Sequence, residues 1–221
     1  MCPYAKEILI NAYKDQEAAP MPSKSFFSSL TSPVLYSDST ISGISVSSRM
    51  TEQEADASLA LLTDHLNSNF ETLCVSLSSQ LAQEAIKCIW QELLSILDLI
   101  LLPHLTDPIE KDRKMPNARQ ISFMDLTLKS LKAFFHADGE GIGIPLFALE
   151  TAKYLDIMTA LSRYGTDLPR LKRECELGVE SGRNKEAVLR LVRLVFEKDD
   201  CIEDKEQHRD WMNQILQKRK V

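Results

Sequence analysis

The densest group of chemically capable side chains is His136-Ala137-Asp138-Gly139-Glu140-Gly141. Carboxylates at alternate positions followed by a glycine resemble the opening of a calcium loop, in which oxygens at the third and fifth positions wrap the ion. Counted from His136, the first position is an imidazole and the twelfth is Phe147, where a bidentate glutamate is required. Both anchoring ends fail. The segment reads instead as a helix-ending turn, with glycines taking φ > 0 and His136 bonding a nearby backbone group. The other histidines, His65, His104 and His208, are dispersed, with no pair at helical metal spacing. Cys2, Cys74, Cys88, Cys175 and Cys201 include no Cys-x-x-Cys pair, so zinc and dithiol chemistry are not indicated. There is no Gly-x-Ser-x-Gly elbow and no phosphate-binding loop, and Gly139-x-Gly141-x-Gly143 lacks the strand and spacing of a dinucleotide fingerprint. The expectation is a non-catalytic protein with no cofactor-binding residues and no metal site.

What remains is a candidate contact surface in the tail. Residues 1–169 carry 13 basic and 21 acidic side chains, whereas residues 170–221 carry 13 basic and 11 acidic. Arg183, Lys185, Arg190 and Arg193 fall on successive turns, with Val188, Leu189, Val192, Val195 and Phe196 between them. A basic amphipathic helix of this kind can lie on anionic lipid or pack against a protein; the alternative is a last bundle helix whose arginines simply face water. Lys218, Arg219 and Lys220, just before Val221, are too few to bind a membrane strongly alone, at ~1 kcal/mol each. The net charge of −6 argues against a chain built to coat nucleic acid.

These residues must be held by helices. With 44% hydrophobic residues, only seven glycines and few alternating segments, the composition favours an all-α fold. Residues 1–19 contain a short helical stripe (Ile8, Leu9, Ala12, Tyr13). Residues 20–50, rich in serine and proline, read as a disordered linker. Residues 51–180 read as the main bundle and 181–221 as basic tail helices. Thr51-x-x-Glu54 is a capping box that opens a helix with Leu59, Leu62, Leu66, Phe70 and Leu73 on one face. A second stripe through Ile89, Leu93, Leu97 and Ile100 ends at Pro103. It is either continuous with the first or joined to it near Ser78-Ser79. The next helix is expected from Ser122, with Asp125 three residues on. Pro145 then opens one running to Leu161, and later helices cover roughly 170–179, 184–197 and 203–219. Trp90, Phe134 and Phe135 are expected in the core. No apolar run reaches the ~20 residues that span a bilayer, so a soluble, cytoplasmic protein is expected.

Three blocks resemble the second homology region of Munc-thirteen-type proteins, the carboxy-terminal part of the MUN domain. They are Ile89–Leu94 with Leu101-Leu102-Pro103-His104-Leu105, then Leu128–Gly141 containing Phe134-Phe135-His136-Ala137, then Leu149–Tyr154. His104 stands where that family commonly has a second proline, and Asp138 where it has a glycine. Ala187–Leu194 is similar to a motif of fungal-type members. The resemblance spans about residues 52–200 and gives Trp90, Pro103, Phe134, Phe135, His136, Gly139 and Gly141 structural roles. It implies an elongated helical bundle like the rods of tethering complexes, taken from a longer protein. It also implies a part in vesicle tethering and priming during exocytosis. The implied partners are SNAREs or tethering factors, with peripheral contact to anionic plasma membrane. The family's best-known SNARE-opening surface lies upstream, so no SNARE-contacting residue is transferred. A helical scaffold unrelated to membranes is the alternative.

Overall fold

The computed structural model describes residues 3–18, 50–110, 112–180, 186–198 and 205–218. Among them, all regular structure is helical, as composition indicates. The chain forms α1 (Pro3–Ala18), α2 (Glu52–Ser76), α3 (Ser79–Leu101) and α4 (Ala118–His136), then α5 (Leu146–Leu149) and α6 (Ala152–Arg163). It continues as α7 (Leu168–Glu180), α8 (Glu186–Lys198) and α9 (Lys205–Lys218). The expected linker lies outside the described residues except for Met50, which is buried and donates its N–H to Ser122 Oγ at 3.2 Å.

Local chemistry sets the helix ends. Thr51 caps α2 as its sequence indicates: Glu54 N–H donates to Thr51 Oγ1 at 3.3 Å, and Thr51 N–H donates to Glu54 Oε2 at 2.8 Å. The α2 and α3 stripes are separate helices, parted by Leu77 and Ser78 in extended conformation. Helix α4 starts four residues before the expected Ser122. Asn117 and Gln120 form a second capping box, with bonds of 2.8 and 2.9 Å. The helix expected after Pro145 breaks into α5 and α6, because Thr151 leaves helical geometry and its Oγ1 accepts the Tyr154 N–H at 3.3 Å.

One continuous apolar core joins all of this. Helix α1, marginal if isolated, buries Ala5, Leu9 and Ala12 against α2, α3 and α4. On the other side of α3, α6 packs on α8, α8 on α7, and α7 on α9. The tail is therefore not a separate unit. Val188, Leu189, Leu191, Val192 and Leu194 are all buried, so α8 is an interior helix, apolar on nearly every side.

Candidate functional site

The main concentration of buried charge lies at the C-terminal end of α3. An α-helix leaves its last four carbonyls without intrahelical donors, and their dipoles favour cations there. Arg190 of α8, only 5% exposed, reaches this end. Its Nη1 donates to Asp98 Oδ1 at 2.7 Å and Oδ2 at 3.0 Å. Its Nε donates to the Pro103 carbonyl at 2.9 Å and its Nη2 to the Leu102 carbonyl. Three residues on, Arg193 donates to the carbonyls of His104 (2.7 Å), Leu105 (2.8 Å) and Asp107 (2.6 Å). From the α3–α4 loop, Arg113 Nη2 donates to the carbonyls of Ile100 at 2.7 Å and Leu99 at 3.3 Å. Three guanidinium groups thus satisfy the helix end and the turn after it. Lys153 lies 3.4 Å from Asp98 Oδ2. Burial, then the nearby Glu186 and Asp98 carboxylates, raise the pKa of Asp156 beside them.

An aromatic group sits on the same helix nearer its start. Trp90 is 1% exposed and donates its indole N–H to the Leu149 carbonyl at 3.0 Å, across the break between α5 and α6. Its ring packs on Phe135 (5.2 Å) and Tyr154 (6.3 Å), and Phe70 meets Phe134 and Phe135 at 5.7 and 5.4 Å. Such pairs add about 0.5–1.5 kcal/mol each beyond burial. Phe135 is fully buried, whereas Phe134 is only partly so. After Phe135 the chain turns sharply, and His136 Nδ1 lies 3.0 Å from the Ile144 carbonyl. Ala137 and Asp138 as well as Gly139 and Gly141 have positive φ, so the left-handed turn extends beyond its glycines. Gly143, which the family-type motif omits, is the position with no room. A Cβ there would meet the His136 carbonyl oxygen at 2.3 Å.

The proposed tail surface needs correction. Arg190 and Arg193 are bonded to backbone carbonyls of the turn after α3, from Leu102 to Asp107, and Arg190 also to Asp98. Neither is free to meet a membrane. Lys218 is exposed on α9, while Arg183, Lys185, Arg219 and Lys220 lie outside the described residues. Pro103 is buried, and its carbonyl is one of those that Arg190 holds.

Sequence reasoning missed Asp98, Arg113 and His208. His208 is buried, and its ring stacks on Phe196 with centroids 3.7 Å apart. Neither ring nitrogen has a hydrogen-bond partner. Burial, then Lys172, push its pKa down to about 4.

Among the described residues, no group of three or more His, Cys, Asp or Glu could hold a metal ion, and no helix is long and apolar enough to cross a membrane. A cleft of about 800 Å³ lies between α1, the end of α3 and the loop before α4, with Lys6, Tyr13, Lys14, Ile100, Asp112 and Arg113 in its lining. Burial pushes the Tyr13 hydroxyl up to about 12, so it remains a neutral phenol at ordinary pH. Cations and carboxylates are interspersed there around apolar side chains.

Taken as a class, this is an all-helical bundle held by an arginine-clasped helix end and an aromatic layer. The chain is similar to an uncharacterized protein of Schizosaccharomyces pombe, 27% identical over 128 residues that make up 58% of this chain. Those residues are 10% of the fission-yeast protein, so the chain spans about a tenth of the relative it matches. No family model matches, and no solved structure matches.

Proposed function

We propose that this chain is a non-catalytic interaction module of a vesicle tethering or priming factor, acting in exocytosis and SNARE-dependent fusion. One observation carries the reading. The sequence blocks that resemble the MUN region are far apart in the chain, yet they meet around α3. Trp90 of the first block touches Phe135 of the second and bonds Leu149 of the third, and Arg190 of the tail motif bonds Pro103 of the first. A packed helical unit of this kind works by presenting surfaces, raising the effective concentration of what it holds and making no covalent change. SNAREs or tethering factors are the proposed partners, at the cytoplasmic face of the plasma membrane. Contact with lipid through Arg190 and Arg193 is withdrawn from this reading.

The test is affinity capture with the full chain from lysate of its source cells, compared with a Trp90→Ala chain that loses the shared layer. Enrichment of SNAREs or tethering subunits by the native chain alone is the expected result. Reproducible capture of proteins with no link to membrane traffic would favour a general helical scaffold instead.

A further inference from the structure

The opposite end of the bundle has an unusual surface. Phe70 near the end of α2 meets Phe134 and Phe135 near the end of α4, and Gln83 in the first turns of α3 donates to the Gly143 carbonyl at 3.3 Å. These contacts gather the α2–α3 junction, the end of α4, the turn after it and α5 at one end. Among the described residues, five of the ten exposed large apolar side chains lie here: Val75, Leu77, Leu81, Leu146 and Phe147. Val75 is 89% exposed and Phe147 82%. Isolated surface apolar residues need no explanation, but a concentration at one end marks a contact site.

The surrounding charge says what kind of contact. Glu71, Asp138 and Glu140 are exposed around this end. Lys87 of α3 and Lys132 of α4 are each paired with a carboxylate, Glu84 at 2.7 Å and Glu150 at 2.5 Å. Helices α2 and α4 both finish here, and the partial negative charge of their two C-termini outweighs the partial positive charge of the one long helix, α3, that starts here. An anionic bilayer would meet carboxylates first, whereas a helix with an apolar stripe and a basic flank would be attracted at both.

We infer that this end, formed by the α2–α3 junction, the turn after α4 and α5, is a docking surface for a basic amphipathic helix of a protein partner. Apolar anchors at helical spacing seat on Leu81, Leu146 and Phe147, while lysines or arginines face Asp138 and Glu140. None of these residues belongs to the arginine clasp, and the surface does not depend on vesicle tethering.

The experiment titrates the full chain with a helical peptide carrying leucine on one face and lysine on the other. The same is done with its leucine–glutamate counterpart, read by fluorescence anisotropy, and with equimolar phosphatidylcholine–phosphatidylserine vesicles. The lysine peptide is expected to bind about tenfold or more tighter than the glutamate peptide, and Phe147→Ser to remove about as much, an effect typical of an exposed anchor. The double variant Asp138→Lys, Glu140→Lys shifts the preference towards the glutamate peptide. Leu81→Ser serves as a second variant if Phe147→Ser loses its helical circular dichroism. Equal affinity of the native chain and both serine variants for the lysine peptide would overturn the proposal. So would vesicle binding that needs Phe147 when the peptide does not.

Discussion

The two ends of α3 differ in what they expose and what they hide. At its C-terminal end a carboxylate and one of three guanidinium groups are buried, and that arginine, which looks like surface in the sequence, is among the most enclosed polar groups. At its N-terminal end, leucine and phenylalanine face outward among carboxylates. Charge is buried where a helix end and a turn offer several unpaired carbonyls to a single guanidinium. Apolar surface is left out where nothing in the described chain covers it. The first end is therefore a device for stability and the second a surface available for contact.

The largest test of that contrast is Arg190→Ala. It leaves Asp98 buried with only Lys153 at 3.4 Å and strips donors from the carbonyls of Leu102 and Pro103. The expected loss is about 3–5 kcal/mol in chemical denaturation, as for breaking a buried pair from one side. A loss under about 1 kcal/mol, the usual worth of an exposed pair, would return Arg190 to the surface. Trp90→Ala is expected to cost about 3–5 kcal/mol, because it empties the aromatic layer and removes the indole donor from the Leu149 carbonyl. An unchanged thermal midpoint would refute that placement.

Next in size is the pH response of α9. The folded pKa of His208, about 4, lies below its ordinary 6.5, so between these values the unfolded chain binds more protons. Stability from this site is full above pH 6.5 and is lost as pH falls towards 4, by up to about 3 kcal/mol. Comparing denaturation of the native chain and His208→Phe across that window should show the native chain losing more. Parallel curves would mean the ring is solvated. The smallest effect is expected at the other end of the bundle. Phe147→Ser should change stability by no more than about 0.5 kcal/mol, the usual range for a surface site. A larger loss would mean that Phe147 packs inward and cannot be an anchor.

Much of the helical framework was legible in the sequence, for reasons seen in particular residues. The Thr51–Glu54 box and the α2 stripe are local patterns, and they occur as read. Asn117-x-x-Gln120 after Pro116 was an equally good start signal for α4, but Ser122 and Asp125 drew the expected boundary inward. The break at Thr151 was hidden because the apolar spacing runs through it, and the indole of Trp90, distant in sequence, takes up the Leu149 carbonyl exposed there. Arg190 and Arg193 misled because spacing registers their charge and not the carbonyls they meet. The signal that could have corrected this was on α8 itself, whose valines and leucines leave little of its circumference for water. His208 gave no local sign, since its burial comes from the stacking of α9 on Phe196.

The way α1 joins the core sets how the chain closes on itself. Its apolar face completes a layer with α2, α3 and α4, yet residues 19–51 stand between it and α2, while only Leu77 and Ser78 separate α2 from α3. Closure entropy grows only logarithmically, so doubling so long a connection costs about 0.6 kcal/mol, whereas a two-residue link has no such slack. Evolution or an experimenter can therefore lengthen the first connection almost without penalty. Helix α1 supplied as a separate peptide should still find its slot, at a concentration that replaces the tether.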